Sequence, residues 1–414
     1  MKNACATGRA LRPEVDLLCA CIRPTPSGAI EDGHVRDRSI DWKKFVELAT
    51  NHHVLPLAYR TLKSEGNAGR VPAEWMDRLR VFQTAIAAYN LRATALLHRL
   101  QQMMESQGIQ LIPIKGPALA VWAFGDVAMR QFEDLDLVVR REDLLRAVDL
   151  LEQDGFGLRE LAGSVDRARY LATLQNWSLE KPGSPPLDLK PVLVSHAFCG
   201  PSSAEFMASA CRRIPVDGKR SLWMPGPEAM LLAVCMDGAN EMWVKLSSVA
   251  DAGALLAKHA DLDWGAFLSE AARFGQRRSM LVGACLVEEL LGVAPPPAFR
   301  KEEEKDPAAR RLAREAAERL RTLAPRHDVV FRQSCFAFRT RERAGDRFRF
   351  LSRLLFVPGA FELASMPLPG VLNPLHSLVR PFRLAWDVAV RRGRSRRLTA
   401  RPTSGKLTDE AKGP

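Results

Sequence analysis

The chain has 414 residues, 47% of them hydrophobic and 26% charged, with 60 Lys and Arg against 48 Asp and Glu for a formal net charge of +12. That balance excludes a wholly disordered chain and supports a substantial core with room for two or three domains. The positive excess suits a partner rich in phosphate, whether a nucleotide, a nucleic acid or an anionic surface, although solvated basic faces explain such a charge equally well.

The eight cysteines fall at irregular spacings. Cys19 and Cys21 form a C-x-C pair with no second pair to complete a metal site, and Cys199, Cys211, Cys235 and Cys285 stand among apolar residues as small buried hydrophobes. No apolar leader segment opens the sequence and no apolar run reaches the ~18 residues of a membrane span. The expectation is a reducing, cytoplasmic location.

In chain order, residues 1–12 are short and basic, residues 14–21 form a brief apolar stretch, and residues 24–39 a polar loop. Asp41 is placed to cap a helix carrying Trp42, Phe45, Val46 and Ala49. Residues 72–107 hold apolar positions such as Leu79, Phe82, Ile86, Leu96, Leu97, Leu100, Met103 and Met104 at gaps of mostly three or four, an amphipathic stripe that Gly108 ends. The pattern then changes. Residues 109–114 read as a strand, and Lys115-Gly116-Pro117 turns it into a short helix, since proline suits the first helical turn. Leu135, Leu137 and Val139 alternate with Asp134, Asp136 and Val138, the period of a strand with two unlike faces. Residues 142–153 return to helical spacing until Asp154-Gly155, and Leu187-Asp188-Leu189 alternates again. Residues 227–292 are helical almost throughout, with Asp263-Trp264 echoing the cap at Asp41-Trp42. The triplet Pro295-Pro296-Pro297 marks a boundary, and residues 301–321 read as one charged helix with a solvated face. Residues 380–401 hold eight arginines and a single acid, Asp387.

Two carboxylates two apart on a strand share a face. Asp134 and Asp136 therefore converge while Leu135 and Leu137 enter the core, and carboxylates this close repel unless a cation lies between them. Asp188, between two leucines, offers a third carboxylate from another strand. Hard divalent ions such as Mg²⁺ or Mn²⁺ take oxygen ligands of this kind together with phosphate oxygens. A D-x-D pair alone is common by chance on a solvated strand edge. The strand-to-helix turn at Lys115-Gly116 adds a place for an anion, with Lys115 as a point charge and Gly116 permitting close backbone approach. Arg130 is set to contact a triphosphate, or to pair with Glu133 or Asp126.

At these residues the chain resembles an uncharacterised bacterial nucleotidyltransferase family of the polymerase-beta-type nucleotidyltransferase superfamily. The central match is IPIKGPALAVWAFGDVAMRQFEDLDLVV, followed by a helix ending in DGF and later by LDLK. Further likeness lies in DWKKFVELATNHHVLPLAYRTLK, in the run from Trp243 through Lys245 and Asp251 to Asp263-Trp264, and in FVPGAFELASMPLPG and LVRPFRL. The resemblance spans roughly residues 14–388. It implies that Asp134, Asp136 and Asp188 are the metal ligands and catalytic acids, with Lys115, Gly116, Arg130 and Lys245 on the nucleotide. Three departures stand out. Gly116 is followed by Pro117 where the superfamily has Ser. Lys190 stands where this family often has His, two residues after the third acid. Asp237 and Asn240 or Glu241 stand where the helical region often has histidines.

The fold class expected is helix-rich α+β: a small mixed-sheet nucleotidyltransferase core at 108–200, an N-terminal helical region at 1–107, a helical domain at 201–297, a C-terminal helical extension at 298–388 and a basic tail of disordered composition at 389–414. The function expected is metal-dependent transfer of a nucleoside monophosphate from a nucleoside triphosphate to an acceptor hydroxyl, the acceptor being a protein, an RNA, a sugar or a small molecule. Two rivals remain: a nucleotide-binding module of this fold without turnover, and a D-x-D glycosyltransferase, which calls for a larger parallel α/β domain ahead of the acid pair. Lys245 and Asp251, six apart, either face the cleft or form an ion pair. His52 and His53 diverge by about 100° on a helix and read as capping or core residues. The Arg380–Arg401 cluster offers an anionic partner a contact, with few aromatics for stacking on bases.

Overall fold

A computed structural model describes residues 13–24, 40–67, 69–159, 176–191, 210–216, 219–322, 329–357, 375 and 377–384. Four helices come first: α1 (Pro13–Cys21), α2 (Trp42–Asn51), α3 (Leu55–Lys63) and the 33-residue α4 (Ala73–Glu105). Asp41 caps α2 by accepting from the Lys44 backbone N–H at 3.1 Å, one of the donors a helix start leaves unpaired. Gly108, at φ +72°, closes the turn after α4, a left-handed conformation that suits glycine. The described residues up to 107 thus hold helices and no strand, without the parallel α/β domain that a glycosyltransferase calls for.

The sheet follows. Its strands are β1 (Ile112–Pro113), β2 (Leu135–Val138), β3 (Gly157–Leu158), β4 (Trp177–Glu180) and β5 (Leu187–Lys190), in spatial order β1-β2-β5-β4-β3. Only β2 and β5 run parallel; the other pairs are antiparallel. Helix α5 (Gly116–Phe124) leaves β1, and α6 (Leu144–Gln153) leaves β2 after a short 3-10 turn. Leu135, Leu137, Leu187 and Leu189 are at most 1% exposed, so one face of the central strand pair is committed to the core and the other is left for polar side chains.

A hairpin of β6 (Arg212–Pro215) and β7 (Ser221–Met224) forms a separate two-stranded sheet. Gln101 of α4 ties it to the core: its amide donates to the carbonyls of Leu111 and Trp223 at 2.9 Å each, and its side-chain oxygen accepts from the Trp223 N–H at 3.0 Å. A buried glutamine so used satisfies three backbone groups that lie outside any ladder.

The helical half consists of α7 (Pro227–Asn240), α8 (Leu246–Lys258), α9 (Trp264–Arg273), α10 (Arg277–Leu291), α11 (Pro297–Glu303), α12 (Pro307–Thr322), α13 (Val329–Arg339) and α14 (Ala344–Phe356). Helix α10 is its axis and packs against α7, α8 and α12. The charged stretch at 301–321 is two helices rather than one, broken before Pro307. The second buries a stripe of Ala309, Leu312, Ala313, Ala316, Ala317 and Leu320, so it is amphipathic and not solvated all round. Cys211 is half-buried, whereas Cys235 and Cys285 are buried as expected and Cys199 lies outside the described residues.

The chain divides into two units, Met1–Leu351 and Ser352–Pro414. In the second, Arg380 of the helical stretch 377–384 donates from Nε to the Leu354 carbonyl at 2.9 Å. Beyond residue 384 the arginine cluster lies outside the described residues. Among the described residues no helix is long and apolar enough to cross a membrane.

Candidate functional site

The floor of the site is the polar face of β2 and β5. The two strands run parallel in a register that sets Asp136 directly opposite Asp188. Asp134 lies just before β2, two residues from Asp136 and on the same side. Asp188 is held from the neighbouring strand: Ser178 of β4, its register partner, donates from Oγ to Oδ1 at 2.7 Å, and Asn176 Nδ2 donates to Oδ2 at 3.3 Å. Burial and the charges of Asp136 and Asp188 push the Asp134 carboxyl up to about 6. Asp136 goes the other way. Its burial favours the neutral acid, but the ammonium groups of Lys115 and Lys190 outweigh this and hold it down at about 2.

Both lysines are part of the built structure. Lys190 donates to Asp136 Oδ1. It stands two residues past Asp188 on β5, so the strand period brings it to the same face. Lys115, the residue before α5, donates to Asp237 of α7, and its Nζ lies 3.8 Å from Asp136 Oδ2. Its side chain is 18% exposed, and the two carboxylates raise its pKa against the effect of burial. The expected free phosphate contact is therefore an ion pair across the cleft. Gly116, at φ +55°, has the left-handed backbone that favours glycine, and a Cβ there would meet Leu135 Cδ2 at 3.4 Å. The glycine lets the start of α5 lie close over β2.

Arg130 pairs with neither Glu133 nor Asp126. Its Nε faces both oxygens of Asp251 on α8, at 3.0 and 3.2 Å. Asp251 is thus Arg130's partner and not Lys245's. Its carboxyl is raised by burial, which the Arg130 guanidinium only partly offsets. Asn90 of α4 steadies the same loop by donating to the carbonyls of Val127 and Arg130 at 2.7 and 2.8 Å.

Lys245 immediately precedes α8, after a turn in which Met242 and Trp243 take positive φ of 56° and 54°. Its charge acts on His53 and on the half-buried Glu241. The Glu241 pKa is raised by burial and then by Asp237. His53 also has positive φ, and lies 3.5 Å from Glu133. His52 is buried at the end of α2, where its Nδ1 accepts from the Leu246 N–H at 3.4 Å.

One floor thus brings together Asp134, Asp136, Asp188, Lys115 and Gly116, with Arg130 and Lys245 carried on the loops around it. Asp237 and Asp251, singled out in the sequence as a departure from the family's histidines and as a residue of the cleft or of an ion pair, are the carboxylate partners of Lys115 and Arg130. The sequence does not point to Ser178 and Asn176, and of these two only Ser178 leaves a local signal, since it alternates with the apolar Trp177 and Leu179.

A profile of the family described as uncharacterised nucleotidyltransferase matches residues 38–292, more than half of the chain. The chain belongs to this family. The matched part of this nucleotidyltransferase runs from just before α2 to the end of α10, and contains every strand and every site residue named above. No curated protein matches the chain. Membership brings a nucleotide substrate with it.

The donors suit a hard divalent ion in kind, since all are carboxylate oxygens, and Asp134 is raised by burial and by the two neighbouring carboxylates. In this arrangement, among the described residues, no group of three or more His, Cys, Asp or Glu side chains is gathered to hold one. The lysine contacts on Asp136 supply local positive charge instead.

Proposed function

We propose that this nucleotidyltransferase moves a nucleoside monophosphate from a nucleoside triphosphate to an acceptor hydroxyl. The carrying observation is the parallel register that sets Asp136 beside Asp188, with Asp134 on the same face. The acceptor oxygen forms a bond to the α-phosphorus, the bond from that phosphorus to the β-phosphate's bridging oxygen breaks, and pyrophosphate leaves. Asp134, Asp136 and Asp188 would hold Mg²⁺ or Mn²⁺, which supplies neutralising charge to the triphosphate.

The chain's own residues do the rest. Asp188, oriented by Ser178 and Asn176, faces the acceptor and takes up the hydroxyl proton. Lys115, Arg130 and Lys245 bind the triphosphate, with Arg130 aimed by Asp251, and Gly116 lets the phosphates approach the start of α5. The test is calorimetry of ATP and GTP with Mg²⁺ on the wild-type chain, on Asp136→Ala, and on Asp188→Asn, which keeps the shape of the side chain. Both variants should lose most metal-dependent binding while circular dichroism shows them folded. Equal binding by all three overturns the assignment.

A second reading is a binding module without turnover, favoured by Lys190 lying on Asp136 and by Pro117, which brings no hydroxyl. Tight nucleotide binding without pyrophosphate release, on incubation with cell extract as the source of acceptor, would select it.

A further inference from the structure

Lys190 stands where the proposed chemistry needs a cation of another kind. Its ammonium donates to Asp136 Oδ1, while the other oxygen of the same carboxylate has Lys115 Nζ at 3.8 Å. The Lys190 side chain is 17% exposed and that of Asp136 is 10% exposed, so the contact is shielded from water and from screening by salt. Among the described residues no lysine forms an ion pair of this kind with Asp134, and Asp188 is served by the neutral donors Ser178 and Asn176. The positive charge on the floor is therefore concentrated on one carboxylate, the middle one.

An ammonium and a divalent ion cannot both occupy the inner side of Asp136 Oδ1, and like charges at this spacing repel strongly in a partly dry cleft. We propose that Lys190 is a built-in competitor for the divalent ion. It neutralises Asp136 in the free chain and must swing off that oxygen before metal is bound. This inference rests on the metal-dependent reading above and adds a consequence to it. A triphosphate gives the displaced ammonium a new anionic partner, so metal and nucleotide bind with positive coupling. By reciprocity each raises the affinity of the other by the same factor. The metal site is then weak when empty of nucleotide, and assembles on the substrate.

The experiment is titration of the full chain with Mn²⁺, following the free-ion signal by electron paramagnetic resonance without nucleotide. The wild type should bind weakly and Lys190→Met about tenfold more tightly or better, since a competing positive charge at contact distance has been removed. Lys190→Arg keeps the charge and should stay weak. Lys181→Met removes the same charge from the pair with Asp154 and should not tighten binding. Lys190→Met should also melt lower than wild type in EDTA, having left Asp136 without its donor, and recover with Mn²⁺. Lys190→Gln is measured beside it, in case the methionine variant does not fold.

Equal Mn²⁺ affinity for wild type and both uncharged variants, all of them binding, overturns the competitor role and leaves the metal-dependent reading standing. Tightening by Lys181→Met as large as by Lys190→Met overturns it as well, because the effect is then one of overall charge. Failure of every form to bind Mn²⁺, with or without nucleotide, sinks the metal-dependent reading and this inference with it.

Discussion

Trp243 is held between two glycines, and adding one methyl group to either tests whether the turn before Lys245 is set by packing. A Cβ built on Gly238 of α7 would lie 2.7 Å from Cδ2 and Cε2 of the indole and 2.9 Å from Cε3. Carbon atoms pack best at about 3.5–4.0 Å, so the overlap is close to 1 Å on three atoms at once. The ring cannot simply retreat. It is 1% exposed, and a Cβ built on Gly283 of α10 would lie 3.0 and 3.1 Å from the Cη2 and Cζ2 atoms of the same indole. In an unobstructed helix interior, Gly→Ala stabilises by roughly 0.5–1 kcal/mol. Overpacking a filled core costs about 1–3 kcal/mol, so the sign should reverse, with a net loss of ~1–2 kcal/mol for Gly238→Ala. Gly283→Ala should lose at least as much, because its Cβ also falls 2.6 Å from Cys235 Sγ. Gly345, in α14 with nothing within 4 Å of its Cβ position, is the control and should gain. Urea unfolding followed by far-ultraviolet circular dichroism reads all three. Since Met242 and Trp243 form the strained turn into Lys245, the Gly238 variant should also bind nucleotide more weakly. A Gly238→Ala protein as stable as the wild type would refute the packing argument.

Two further expectations concern buried charge. Asp251→Asn removes one partner of a buried ion pair and should cost about 3–5 kcal/mol in urea unfolding, with Arg130→Met/Asp251→Leu recovering part of it; a loss under about 1 kcal/mol would mean that the pair is not sealed from water. The His53 imidazole is lowered to about 4 from 6.5, by burial first and then by Lys245, against the pull of Glu133. The unfolded chain therefore takes up this proton first, so the histidine's contribution to stability is whole above pH 6.5 and is lost as pH falls toward 4. His53→Gln should flatten the stability profile in that window, and an unchanged profile would remove the histidine from the account.

What could be read along the sequence is what local periodicity fixes. The pattern around Asp134 and Asp136, and that around Asp188, require strands with one apolar face, and both strands form there. Asp41 and Asp263 cap the helices they precede, because a short carboxylate beside three unpaired N–H groups has an immediate use. The misses have a common cause. The short strands β3, β4, β6 and β7 owe their form to pairing with a neighbour and not to a period of their own. The charged stretch at 301–321 hides a small-residue stripe because alanine contrasts weakly with its polar neighbours. The partners of Lys115 and Arg130 stand 122 and 121 residues away, and only the packing of α7 and α8 against the sheet brings them close.

The same contrast explains why three aspartates of one type behave differently on one floor. Strand alternation gives each a place on a polar face and says nothing of how their charges are met. Their surroundings separate them: Asp136 carries the lysines and stays charged, Asp134 is raised to about 6 by burial and by its two carboxylate neighbours, and Asp188 is oriented by a hydroxyl and an amide. Two neutral donors orient a carboxylate without cancelling its charge, whereas an ammonium does both. Asp188 is thereby left with its charge available, while the charge of Asp136 is already answered from within the chain. Which carboxylate has its charge answered from within the chain is therefore decided by Lys190, Ser178 and Asn176, and not by the acidic motif itself.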